Sequence, residues 1–289
     1  MSRRILLASY HFPPTAAVGG LRVAKFARII REFGWEPYVL TIRDDLREDG
    51  IDAGRLIGVE TVPTVRTGEL PRVLEALARA RAPLKRASDP ASAVRPNAGA
   101  VPSNESLRRR LKRYAASLVF YLPDHNKNWA LYASVSAVKT IRQHKIDWVF
   151  TSGPPFSGHV IGLVAKSFTN ARWVADFRDP WIDLLDDRDP AMRCVLSDRI
   201  ERWMEAHVVE SADRVITTTE RMREAMQVRY PGTSSDRFAV IPNSIDLDRF
   251  ESSADTARPS TLTITYAGSL YFDRTPEPLF RALRLLIQS

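Results

Sequence analysis

Two carboxylates, a guanidinium and an indole fall together in Asp176-Phe177-Arg178-Asp179-Pro180-Trp181. A guanidinium suits bidentate contact with phosphate or carboxylate. An aspartate can accept a hydroxyl proton or hold sugar hydroxyls, and an aromatic ring can stack on a sugar face. An Arg–Asp ion pair that merely pins a loop would use the same residues. Gly19-Gly20 form a second constellation, directly ahead of Val23, Phe26, Ala27, Ile30 and Phe33 at helical spacing. A residue without Cβ lets a ligand approach the backbone, and a helix N-terminus presents free N–H groups to an anion. The same glycines would also serve simply to turn the chain. Two histidines stand out less. His125 lies in Leu122-Pro123-Asp124-His125-Asn126, where Asp124 or Asn126 is a possible helix cap. His159 stands alone on a predicted helix, where a structural role is the commoner one. Cys194 is the single cysteine; it has no Cys–His pattern and reads as a small buried hydrophobe. No carboxylate pair or Cys/His set has metal-ligand spacing, so no metal is expected.

These residues need a scaffold, and the hydrophobic pattern supplies one. Short apolar runs at 5–8, 38–42, 147–151, 172–175, 214–217 and 238–241 read as strands. Helical patterns at 128–144, 156–169, 200–211 and 219–229 alternate with them, which predicts an α/β parallel sheet. In such sheets ligands sit at the carboxyl ends of the strands. The loops 9–20, 152–158, 176–182, 218–220, 242–246 and 268–275 are therefore the places to look. Residues 71–104 interrupt the pattern: a short helix near 71–80 is followed by a stretch with Pro83, Pro90, Pro96 and Pro102, read as a mobile loop over about 81–104. Between 106 and 119, Leu107, Leu111, Ala115 and Leu118 line one helical face and Arg108, Arg109, Arg110, Lys112 and Arg113 crowd the other. A basic amphipathic helix of this kind reads as a membrane-surface element. After a polar linker at 251–260, a strand at 262–267 and a helix at 276–288 look like the opening of a second domain.

Composition agrees with a globular protein: 289 residues, 44% hydrophobic and 26% charged. The net charge of +8 favours anionic partners. No RNA-binding aromatic signature accompanies it, so nucleic acid is not expected. Arg3 and Arg4 precede only four apolar residues, too few for a signal peptide. No stretch approaches the roughly 18 apolar residues of a membrane span. A cytoplasmic protein, peripheral at the inner face of the membrane through 106–119, is the expectation.

Five segments in order carry a resemblance: Gly19-Gly20; Ser152-Gly153-Pro154-Pro155-Phe156-Ser157; Asp176 to Trp181; Ile241-Pro242-Asn243-Ser244-Ile245-Asp246; and Tyr266-Ala267-Gly268-Ser269. Together they resemble the retaining GT-B glycosyltransferases of family four, from about residue 3 to the end. The resemblance implies two Rossmann-like domains facing a cleft. Residues 1–255 would be the acceptor-binding domain and 261–289 the start of the nucleotide-sugar donor domain, truncated here. It also implies transfer of a sugar, with retention, from a nucleotide diphosphate sugar to a saccharide or lipid-linked acceptor, with no cofactor beyond that co-substrate. Gly19 and Gly20 would contact phosphate, and Asp176, Arg178 and Asp179 would contact acceptor or sugar hydroxyls. Arg274 is the basic residue left in the first donor-domain loop.

The chain departs from the family in places. Ser152 stands where many relatives carry a histidine, which leaves His159 as a weak substitute and Ser152, His159 and His125 as weak acceptor-side candidates. The paired glutamates of the donor domain have no counterpart in the 289 residues. The chain alone is therefore expected to lack turnover. Rival readings are an inert acceptor- or partner-binding module and a nucleotide-sugar epimerase, the latter disfavoured by strand ends poor in histidine.

Overall fold

A computed structural model describes residues 3–47, 49–71, 122–183, 195–245, 261–268 and 275–288. The predicted helix at 71–80 from residue 72 on, the loop at 81–104, the basic helix at 106–119, Cys194, the linker at 251–260 and Arg274 lie outside them.

The chain divides into two units, Met1–Ser244 and Ile245–Ser289. In the first, the described strands make one parallel sheet of seven: β1 (Arg3–Ala8), β2 (Trp35–Ile42), β3 (Thr64–Thr67), β4 (Trp148–Gly153), β5 (Arg172–Phe177), β6 (Arg214–Thr217) and β7 (Phe238–Val240). Their order across the sheet is β3-β2-β1-β4-β5-β6-β7. The order reverses between β1 and β4, the place where doubly wound sheets open a crevice. The helices are α1 (Gly19–Ile29), α2 (Lys127–His144), α3 (Gly158–Phe168), α4 (Val195–Ser211) and α5 (Glu220–Arg229).

The two-residue alternation of a strand sends successive side chains to opposite faces. Leu6 and Ala8 join a core with Trp129, Ala133, Ile161 and Val208. Leu7 faces the other way, into a core with Val23, Ala24, Ala27 and Val39 beneath α1. Gly34 ends the helical segment at φ 75°, a left-handed turn that favours glycine. Gly162 is required for packing, because a Cβ there would lie 2.0 Å from Trp173 Cε2.

Several boundaries differ from the sequence reading. β4 and β5 each run two residues further, to Gly153 and Phe177, because both stay in register through Ser152↔Asp176 and Gly153↔Phe177. Asp176 is thus the penultimate residue of a buried strand, not the first of a loop. β3, which has no apolar run to announce it, forms by pairing with β2.

In the second unit, residues 261–268 form no strand, contrary to the expectation for 262–267. A strand needs a ladder partner for its backbone groups, and none is present among the described residues. A helix, α6 (Glu277–Gln288), follows as expected. None of the described residues of this unit is buried.

Candidate functional site

The loops at the carboxyl edge of the sheet converge on two arginines. Arg178 leaves β5, and its guanidinium turns back across the edge. Nη1 donates to the Gly19 carbonyl at 2.7 Å, Nε to the Gly153 carbonyl at 3.4 Å, and Nη2 to the Pro154 carbonyl. Its own amide donates to the Gly153 carbonyl at 2.9 Å, and its carbonyl accepts from Thr218 Oγ1 at 3.0 Å. One side chain therefore ties the start of α1 to the β4–α3 loop. Among the described residues no carboxylate lies within ion-pair distance of it. Burial, aided by Arg22, lowers its pKa against the pull of Asp176 and Asp179. The edge thus holds a largely buried positive charge satisfied by neutral carbonyls.

Arg22, which the sequence reading did not single out, takes the second position. It projects from α1 onto Asp176, with Nη2 at 2.8 Å from Oδ1 and Nε at 3.0 Å from Oδ2. Its remaining donors reach the carbonyls of Ile241 and Pro242, at 2.8 and 3.0 Å, and Asn243 Oδ1 at 3.3 Å. Ser152 Oγ donates to Asp176 Oδ2 at 2.7 Å. The ion pair weighed for this segment does exist, but Asp176 pairs with Arg22, not Arg178.

Each predicted residue can now be placed. Asp176 and Ser152 are buried and bonded to the scaffold, so they position the edge and do not line it. His159 is also fully buried, in an aromatic box with Phe156, Trp173, Phe177 and Trp181. Its Nδ1 lies 2.9 Å from Thr151 Oγ1, while Nε2 has no hydrogen-bond partner. Burial, with Arg178 adding to it, pushes its pKa down to about 3. Asp179 is exposed at the rim, and His125 is exposed at the start of α2. Arg274 lies outside the described residues.

Gly19 and Gly20 open α1, but their missing side chains leave room for the protein itself. A Cβ on Gly19 would come 2.7 Å from Arg178 Nη1, and one on Gly20 2.9 Å from Thr15 Cγ2.

The proposed stacking role of Trp181 is corrected. Its ring is fully buried, lies parallel to Phe156 at 4.8 Å and donates Nε1–H to Glu201 at 2.8 Å. No face is left for a sugar. Glu205 completes the anchor, accepting from the Ile182 amide at 3.0 Å, Tyr230 Oη at 2.6 Å and Arg229 Nη1 at 2.8 Å. Asp124 is a staple, not a cap for α2: it accepts from the Asn126 amide and, at 2.8 and 2.7 Å, from the amide and hydroxyl of Ser157 at the start of α3. His11, Asp49 and Arg22 are the edge residues that sequence reasoning missed. His11 lies in a loop the strand pattern had marked and Arg22 stands two residues after Gly19-Gly20, but Asp49 sits near no motif.

No His/Cys/Asp/Glu cluster among the described residues is arranged to hold a metal ion. None of the described helices is long and apolar enough to cross a membrane.

Residues 94–249 match the model of Glycosyltransferase Family 4. No curated protein sequence matches the chain. Among solved structures, the chain is similar to a glycosyltransferase from Rickettsia africae ESF-5, at 12% identity over 99% of this chain and 49% of that one, with a TM-score of 0.40. It is similar to MurG of Acinetobacter baumannii at 10% identity, over 88% and 47%, with a TM-score of 0.39. It is also similar to a sucrose-phosphate synthase structure from Thermosynechococcus elongatus at 14% identity, over 84% and 90%, with a TM-score of 0.41. The chain spans about half the length of the first two.

Proposed function

The chain belongs to Glycosyltransferase Family 4, and on that footing we propose that its first unit is the acceptor side of an enzyme that moves a sugar from a nucleotide diphosphate sugar to an acceptor hydroxyl. The observation that carries this reading is the guanidinium of Arg178 at the switch point of the sheet. It is held by three backbone carbonyls with no carboxylate in ion-pair reach among the described residues. Such a preorganised charge can stabilise the negative charge that develops on a leaving diphosphate. The N-terminal end of α1 adds its dipole in the same place. Arg22 and Asp176 hold α1 against β5 so that Arg178 keeps its geometry, and exposed Asp179 is left as the carboxylate for hydroxyl contact.

Retention at the anomeric carbon, a role in cell-envelope or exopolysaccharide synthesis, and a saccharide or lipid-linked acceptor belong to this proposal through the family resemblance. So does contact of the basic face of 106–119 with an anionic leaflet of the cytoplasmic membrane, which salt-sensitive co-sedimentation with anionic liposomes would test.

The described part of 245–289 has no buried residue, so it encloses no nucleotide pocket of its own. We therefore propose that the 289-residue chain binds acceptor without turning over. Incubation with a panel of nucleotide diphosphate sugars and glycoside acceptors tests both halves. Acceptor binding without transfer is the expected result. Robust transfer by the chain alone would refute the division of labour, and no binding of any acceptor would refute the acceptor role.

A further inference from the structure

The rim of the carboxyl edge holds a histidine–aspartate pair that neither the motifs nor the clamp around Arg178 account for. His11 lies three residues beyond β1, with Nδ1 buried and 3.0 Å from Asp49 Oδ2, at ion-pair distance but not aligned for a hydrogen bond. Asp49 is itself fixed. Thr15 Oγ1 donates to the same oxygen at 3.3 Å. The adjoining backbone is clipped by the Ala16 amide on the Gly50 carbonyl at 2.6 Å and the Asp52 amide on the Pro14 carbonyl at 2.7 Å. The opposite edge of the ring faces the start of α1, where a Cβ on Gly19 would come 3.2 Å from His11 Cδ2 and 2.7 Å from Arg178 Nη1.

The negative charge of Asp49 beside Nδ1 favours the proton on that nitrogen electrostatically, which leaves the lone pair on Nε2. The side chain of His11 is 22% exposed, and Nδ1 accounts for none of that surface. The charged groups facing the ring are Asp49, Arg178 and Arg47. Burial and the two cations outweigh Asp49 and lower the pKa from its ordinary 6.5, so the ring is neutral at pH 7. The rim thus offers a fixed, uncharged hydrogen-bond acceptor beside a guanidinium. Such a site suits a hydroxyl and repels a cation.

We infer that His11 Nε2 accepts a hydrogen bond from a hydroxyl of the acceptor, with Asp49 as the residue that positions the imidazole. The inference rests on the acceptor-domain reading of the first unit.

Ligand-observed NMR titration of the 289-residue chain with a panel of methyl glycosides and their monodeoxy counterparts tests it. For the glycoside that binds best, His11→Ala should weaken binding by about 10-fold, the worth of one good hydrogen bond. One monodeoxy ligand should lose the same amount on the wild-type protein and lose nothing further on the variant. His11→Gln, which keeps an acceptor atom, should recover part of the affinity. Binding to the wild-type chain should fall as pH drops through the lowered His11 pKa and stay flat for His11→Ala. Imidazole 15N shifts at pH 7 should show Nε2 unprotonated and, in Asp49→Asn, a mixture of tautomers. Unprotonated Nδ1 in the wild type, or glycoside binding indifferent to His11, overturns this inference alone. If no glycoside binds, the acceptor-domain reading falls and the inference falls with it.

Discussion

Arg22 divides its guanidinium between the Asp176 carboxylate and the carbonyls of Ile241 and Pro242. Asp176 is fully buried, so removing the arginine strands a charge away from water. Arg22→Ala should cost about 3–5 kcal/mol in urea unfolding. A loss below about 1 kcal/mol, the range of an exposed pair, would mean that water reaches Asp176. His159 allows a prediction with a definite sign. Its folded pKa of about 3 lies below the unfolded value of roughly 6.5. Between those values the unfolded chain binds the extra proton, so stability falls as pH drops below about 6.5. From pH 7 to pH 5 this group should remove about 2 kcal/mol, and His159→Gln should lose that component of the pH dependence. Equal pH dependence in the two proteins would show that the ring is not held neutral. Sequence alone singled out Asp176, Arg178 and His159, because carboxylates, guanidinia and imidazoles past apolar runs are conspicuous. It could not reveal that Asp176 pairs with Arg22, 154 residues away, since that contact exists only once α1 packs on β5.

The elements were legible where periodicity is strong. The central strands and the helices α2, α3 and α5 follow from alternation and helical spacing. Their ends did not, because β4 and β5 are extended by mutual registry at Ser152↔Asp176, which no local pattern encodes. That extension moves Asp176 out of the loop and into the core. Packing between elements is equally tight at α3. The indole of Trp173 occupies the space over Gly162 and donates Nε1–H to Thr151 Oγ1 at 2.8 Å. Gly162→Ala must push that ring aside and should destabilise the protein by about 1–3 kcal/mol or more, despite the better helix propensity of alanine. Chemical denaturation decides the sign. A stabilised variant would mean that Trp173 has room to move.

Over the whole first unit, every residue argued to act lies at one edge of the sheet. Arg178, Asp179, His11 and the start of α1 gather where β1, β4 and β5 end, with Arg22, Ser152 and Asp176 beneath them. The opposite edge carries a surface recess lined by Arg31, Trp35, Glu36, Thr61 and Pro63, around the amino-terminal end of β2. Parallel-sheet physics favours the first edge for ligands, and the sequence points to the same loops because their position after each strand follows from the alternating pattern, whereas the strand order is visible only in the fold. Amide chemical-shift mapping during titration with the best-bound methyl glycoside separates the two edges directly. The account predicts shifts concentrated in 9–20, 152–158 and 176–182, and greatly reduced in Arg178→Ala; shifts centred on Arg31, Trp35 and Thr61, with the carboxyl edge silent, would contradict it.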